Sequence, residues 1–293
     1  MTTIAAPPPA GPPPQLSPGG RTAFRGAVIA AAALLVAGAV AGLGVAAWGV
    51  STVRVVTDHQ SLPTTMRSLV IDTARIPIAI RITGDRETKD AAADLRLVNT
   101  SHSGEHRLQV TNDGTETRIA IAGNPSPVLE WARGGEITIA VPPEQARRLA
   151  VRIEQEIGTV VAQADVDELT ARTTDGSIIL RGAARRVELH TVNGEIVSRD
   201  PIAVTEQFSA TTADGDVSVD FRDAAPRRVD AASRNGDVVI GLPERGPYLV
   251  HAQSWSSAQV RVSETTDPKA AVAEITVRSD NGDVVVEGVG PGR

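Results

Sequence analysis

An Asn-Gly or Asp-Gly pair returns at near-even spacing through the second half of this sequence. The pairs are Asp175-Gly176, Asn193-Gly194, Asp214-Gly215, Asn235-Gly236 and Asn281-Gly282, and their glycines step by 18, 21, 21 and 46 residues. The last interval is close to two periods. Midway along it, Ser257-Ala258-Gln259 reads as a degenerate copy, and Ile157-Gly158-Thr159 starts the series 18 residues before Gly176. Self-similarity at a period near 20 means one supersecondary unit stacked on itself.

Aligning the glycines brings the apolar positions into register. Seven and five residues before them stand Leu169 and Ala171, Val187 and Leu189, Phe208 and Ala210, Val229 and Ala231, and Ile275 and Val277. Two and four residues after come Ile178 and Leu180, Val217 and Val219, Val238 and Ile240, and Val284 and Val286; the second unit departs, with Ser198 after Ile196. Alternation with period two on both sides of a turn predicts two short half-buried strands per unit. A hydroxyl recurs three residues before each glycine, as Thr173, Thr191, Thr212, Ser233 and Ser279. Gly158, Gly176, Gly194, Gly215, Gly236 and Gly282 are expected to be structural turn residues, because Asn-Gly and Asp-Gly supply the positive φ that tight β-turns need. One unit cannot bury its apolar face alone, whereas a stack makes a continuous core. Each unit is either one coil of a β-solenoid or one hairpin of a meandering sheet. The steady period and short corners such as 181–186 favour the solenoid.

The expected organisation is a proline-rich cytoplasmic tail at 1–25, a transmembrane helix at 26–53, a linker at 54–65, a β-strand cap at 66–148 and the β-repeat at 149–289. The tail holds Pro7–Pro9 and Pro12–Pro14, which favour polyproline II over a packed core. Gly26 to Val53 carries no charged side chain. Its apolar centre from Ala27 to Val50 would reach about 36 Å as a helix, enough to cross a hydrocarbon core of about 30 Å. Arg21 and Arg25 precede it and Trp48 lies near its far end, so the positive-inside rule puts the N-terminus in the cytoplasm and the domain outside. A cleaved signal peptide would have a shorter apolar region, about 7–15 residues. In the cap, alternating strands are read at 76–82, 95–97, 107–111, 117–121 and 136–141, with a hairpin turn at Asp113-Gly114.

Composition narrows the chemistry. Aromatic residues are 2% of the chain, so Val, Ile, Leu and Ala must fill the core. The net charge is −6 with no concentrated basic face, which argues against nucleic acid as a partner. Cysteine is absent, which removes disulfides, Cys-based zinc sites and thiol catalysis. The row Ser177, Glu195, Asp216, Asp237 and Asp283 brings one polar group per unit, too few for a hard cation that wants about six to eight oxygens. His102 and His106 flank a Ser-Gly turn, where helical zinc spacing does not apply. His59, His190 and His251 sit beside no nucleophile elbow, and no phosphate-binding loop occurs. Arg147-Arg148, Arg185-Arg186 and Arg227-Arg228 fall at unit boundaries and read as solvated corners.

The order of elements resembles a bacterial domain-of-unknown-function family labelled putative adhesin. Its carriers here are Val141-Pro142, the Leu149-to-Ile153 alternation and the recurring Thr-x-x-Gly-Asp/Glu-Val/Ile units. Trp255 departs from the pattern, standing where the hydroxyl should be. The resemblance implies an exported β-solenoid-like domain without catalytic residues or cofactor. The expected role is that of a non-enzymatic, membrane-tethered adhesin or envelope-interaction module. It would touch lipid through its anchor and an envelope polymer or protein through its long faces. An envelope signalling or stress accessory and a carbohydrate-active β-helix enzyme are the alternatives.

Overall fold

The computed structural model describes residues 53–100, 107–122 and 134–290. The proline-rich tail, the apolar segment before Val53, and the His102/His106 pair lie outside the described residues. Among those described, no helix is long and apolar enough to cross a membrane.

The protein from Arg54 onward is all-β and β-solenoid-like. It has two facing sheets, one of ten strands and one of eleven, and each coil contributes one strand to each sheet. The repeat begins with β8 (Ala150–Ile157) and β9 (Val160–Gln163), then β10 (Val166–Asp175) and β11 (Ile178–Leu180). Next come β12 (Ala183–Asn193) with β13 (Ile196–Ser198), β14 (Ala203–Asp214) with β15 (Val217–Asp220), and β16 (Arg228–Asn235) with β17 (Val238–Pro243). Successive coils pair in parallel, Leu189 beside Ala171 and Ala210 in one sheet and Ile196 beside Ile178 and Val217 in the other. Parallel pairing rules out the meander of hairpins, which would be antiparallel.

The two ends do not follow chain order. After β17 the chain makes β18 (Leu249–Ser254) and β19 (Ser257–Arg261), then β20 (Glu274–Asn281) and β21 (Asp283–Val289). The β20–β21 coil slots between the β16–β17 coil and the β18–β19 coil. The expectation that the degenerate Ser257-Ala258-Gln259 unit follows Gly236 in the stack is therefore corrected. The Gly282 unit sits on the Gly236 unit, and the degenerate one is the terminal coil. Its lack of glycine goes with a shorter corner, since Trp255 and Ser256 join Ser254 to Ser257 where three residues, Gly282 among them, join Ser279 to Asp283.

The region expected as a separate cap is built into the same two sheets. β2 (Ser68–Ala74) and β3 (Ile78–Gly84) form a coil parallel to β8 and β9. β6 (Glu116–Ala122) and β7 (Gly135–Val141) form the next one out. β4 (Ala92–Thr100) lies antiparallel on β7, and β5 (Arg107–Asp113) lies antiparallel on β6 through the Gly114 turn. The residues read as a linker instead enter a strand, β1 (Val53–Ser61), the outermost of the eleven-stranded sheet. Burial alternates along it, with Val56, Asp58 and Gln60 half-buried between the exposed Val55, Thr57 and His59. One short helix, α1 (Pro143–Ala146), turns the chain from β7 into β8.

The core is the narrow slot between the sheets. Ile71, Ile153, Ala171, Ala210, Ala231, Ile275 and Val277 fill it from one side, and Ile80, Val160, Ile178, Ile196, Val217, Val238 and Val284 fill it from the other. Each Val or Ile side chain removed from water contributes about 1.5–3 kcal/mol, and each Ala less. Of the rare aromatics, Phe208, Phe221 and Tyr248 are buried in the core. Phe208 and Phe221 meet edge to face at 5.2 Å between centroids, a preferred arrangement. Buried Tyr248 donates its hydroxyl to the Pro243 carbonyl at 2.5 Å.

Candidate functional site

Two edges join the sheets. On one, each coil turns at its glycine. Gly158, Gly176, Gly194, Gly215, Gly236 and Gly282 stand one above another along this edge, each facing its neighbour's backbone. At Gly194, with φ +157°, and at Gly215, with φ +149°, an added Cβ would run into the carbonyl oxygen of the glycine one coil earlier. The positive φ expected of these turn glycines is present at Gly158, Gly194, Gly215 and Gly236. Contact between stacked corners is a second reason for glycine, which the Asn-Gly and Asp-Gly pairs alone do not reveal.

The backbone ladder continues through these corners. Gly194 N–H donates to the Asp214 carbonyl at 2.9 Å and Ile196 N–H to the Asp216 carbonyl at 2.9 Å. The glycine carbonyls are taken up by the recurring hydroxyls. Thr191 donates to Gly176 O, Thr212 to Gly194 O, Ser233 to Gly215 O and Ser279 to Gly236 O, at 2.8–3.0 Å. Ser254 of the terminal coil donates to Gly282 O at 2.7 Å. Trp255 therefore does not replace the hydroxyl; Ser254 supplies it from one residue earlier.

The polar residues beside the glycines are used by the stack itself. Asn193 donates its amide to Asp175 at 2.6 Å, Asn235 to Asp214 at 2.6 Å and Asn281 to Asn235 at 2.9 Å. Asp216 and Asp237 accept the backbone N–H groups of Asp237 and Asp283, each at 2.8 Å. A carboxylate that accepts a ladder N–H is a structural cap, and none of the described His, Asp or Glu residues form a group able to hold a metal ion.

On the opposite edge lies a cleft of about 790 Å³, lined by Asp200, Arg222, Asp223, Glu244 and Arg245 over Pro201 and Pro243. Its size is that of a ligand site. Asp200 is held by Arg181 at 3.1 Å and Asp223 by Arg222 at 3.0 Å. Asp223 has φ +65°, the left-handed region that an Asp tolerates and most side chains avoid. With two of its three carboxylates spent on arginines, the cleft suits contact with a polar partner better than acid–base chemistry.

Of the paired arginines, Arg185 is more than a solvated corner. It forks onto Asp167 at 2.9 and 3.0 Å and also binds Glu168 at 2.5 Å and Glu206 at 2.9 Å, linking three coils. Its hydrogen bond holds the Asp167 carboxyl below the usual range, and Arg185 first, then Arg186, does the same for Glu206. His190 faces outward and is exposed, beside Arg172 in the next coil.

One surface feature escaped the sequence reading. Val161, Ile179, Val197, Val239 and Val285 form a single register row on the outer face of the eleven-stranded sheet, broken only by Ser218. Its sequence signal is the third residue after each glycine, the outward position of the alternation.

Residues 160–287 match the family model described as Toastrack DUF4097. That stretch, from β9 into β21, is similar to this family and carries the recurring Thr-x-x-Gly-Asp/Glu units. No curated protein matches the chain. Among solved structures, a putative adhesin from Parabacteroides merdae is similar at 7% identity and a TM-score of 0.47, covering 81% of this chain and 97% of that one. A putative adhesin from Bacteroides fragilis is similar at 16% identity and a TM-score of 0.41, covering 80% and 97%. A putative lipid binding protein from Parabacteroides distasonis follows at 12% and 0.40, covering 81% and 95%.

Proposed function

We propose that this protein is a non-enzymatic, single-pass envelope module. Its apolar segment at 26–53 is an anchor helix, the tail at 1–25 is cytoplasmic, and the β-stack stands outside and holds an envelope polymer or protein on its long faces. The observation that carries this reading is where the chain enters the stack. The segment is followed without a spacer by β1, the outermost strand of the eleven-stranded sheet, with β19 at the opposite end. Eleven strands at about 4.8 Å set those ends roughly 48 Å apart. The polar groups of the glycine edge are committed to internal hydrogen bonds, which suits a scaffold better than a catalyst.

The test is made on intact cells. Protease added outside should digest the stack and leave a short anchored fragment, and deletion of residues 26–53 should release the protein from membranes. The released chain should then bind envelope fractions. A stack protected from external protease, or a deletion variant that stays on membranes, would overturn the tethered reading. Turnover of envelope glycans by the purified chain would overturn the non-enzymatic one.

A further inference from the structure

The coil corners on the edge opposite the glycines are of unequal length. Two residues, 164–165, join β9 to β10, and two, 181–182, join β11 to β12. The next three corners hold four residues at 199–202, seven at 221–227 and five at 244–248. The glycine interval rises from 18 to 21 residues over the same coils. The added residues thus fall on one edge and at consecutive coils, which is where repeat proteins commonly place binding loops. Together with Val289 of β21 these three corners line the cleft of about 790 Å³.

The middle corner is tied to the coil on each side. Phe221 N–H donates to the Gly241 carbonyl at 2.8 Å and Arg222 N–H to the Ile202 carbonyl at 2.9 Å. Asp223, next in the chain, keeps φ +65°. A side chain holds that conformation only where its surroundings fix it, and such residues gather at ligand sites. A site fixed before its ligand arrives loses little conformational freedom on binding.

The lining selects by chemistry. Three carboxylates, Asp200, Asp223 and Glu244, and two guanidinium groups, Arg222 and Arg245, line the cleft, and the Arg181 that holds Asp200 evens the charge. A strongly anionic or cationic ligand would meet its own charge there. Glu244 and Arg245 are exposed and form no ion pair with a described residue, which leaves an acceptor and a set of donors for a ligand. Pro201 and Val289, half-buried, supply apolar surface beside them. Peptide main chain finds little to pair with at the middle corner, because the Phe221 and Arg222 N–H groups are already taken by the neighbouring coils. Carboxylate and guanidinium groups that accept from and donate to neutral hydroxyls, beside apolar surface for the C–H face of a ring, suit a sugar.

We propose that this cleft binds a neutral oligosaccharide, with Glu244 and Arg245 as its main hydroxyl partners. The site rests on the envelope-module reading only for where the glycan is met, since its geometry needs no anchor. It places contact with a polymer on this edge of the stack and assigns that polymer's chemistry.

The test uses the full-length chain in a sugar-free detergent, with neutral α-glucan, β-glucan, mannan and galactan oligosaccharides as probes, read by calorimetry and ligand-observed NMR. Saturable binding of at least one of them is expected. Glu244→Ala with Arg245→Ala should weaken it at least about tenfold. Both side chains are exposed, so the thermal midpoint should not move. Arg172→Ala with Glu188→Ala removes an exposed ion pair on the outer face of the ten-stranded sheet and should leave binding unchanged. No saturable binding of any probe, unchanged affinity in the cleft variant, or equal loss in the control pair would each overturn the proposal. So would binding of a charged polysaccharide or a peptide in place of the neutral probes. Envelope fractions bound equally by the cleft variant and the parent would overturn the cleft and leave the envelope module standing. Cleft-dependent glycan binding by a chain that proves untethered would do the reverse.

Discussion

The Thr212 hydroxyl donates to the carbonyl oxygen of Gly194, one coil away, at 3.0 Å. That carbonyl sits at a corner where the main-chain ladder skips it, and Thr212 is buried. Thr212→Val keeps the shape and removes the donor, leaving a buried acceptor unmatched. The expected cost is about 1–3 kcal/mol, read from chemical denaturation, with Thr212→Ser retaining most of the bond. Equal stability of the Val variant and the parent would mean that the hydroxyl column is decorative.

The same column is interrupted near its start. The Thr173 hydroxyl and both amide atoms of Gln155 are buried without a hydrogen-bond partner in the protein. Thr173→Val should therefore be neutral or stabilising by up to about 1 kcal/mol, opposite in sign to Thr212→Val. Measuring the two side by side separates the hydrogen bond from the burial of a methyl group.

Glycines of the stack differ in what they tolerate. Gly215→Ala forces a Cβ against the Gly194 backbone at φ +149°, and both faults fall on rigid main chain. A loss of at least about 4 kcal/mol, or failure to fold, is expected. Gly114 has φ +62° with open space around it, so Gly114→Ala should cost only about 1–2 kcal/mol. Comparable thermal midpoints for the two variants would contradict the stacked-corner account.

Arg185 ties stability to pH. Its hydrogen bonds lower the Asp167 and Glu206 carboxyls in the folded protein, from ordinary values of 3.8 and 4.5. Depressed folded values add stability that is complete above the unfolded pKa and lost as pH falls through the folded one. Stability should thus be flat above about pH 5.5 and decline below about pH 4.5. Arg185→Gln should weaken that decline while lowering stability at neutral pH. Denaturation curves at pH 3.5, 5 and 7 test it, and an unchanged slope in the variant would remove Arg185 as the cause.

Legibility in the sequence varied with the range of the interaction. Coil period, strand alternation and the hydroxyl column were readable because each unit repeats the same local pattern. The continuation of the stack through β2, β3, β6 and β7 was hidden. The β2–β3 coil turns at Ala74–Ile78, without a glycine to mark the corner. The terminal place of the Trp255 unit was hidden for another reason. Ser257-Ala258-Gln259 has the alternation of an inner coil, and only pairing shows that Asn281 adds to Asn235 ahead of it. The cleft at Asp200, Asp223 and Glu244 joins three corners some 20 residues apart, each unremarkable alone.

What the sequence determined by itself is the repeat: two short strands, a glycine and a hydroxyl per turn, because period-two burial and backbone crowding are written into every unit. What only the tertiary structure decided is the order of the coils at both ends, and with it which strands are left unpaired. Parallel pairing depends on which coil arrives beside which. Coils of nearly equal pattern can exchange neighbours at similar local energy, so that order is settled by closure of the whole core.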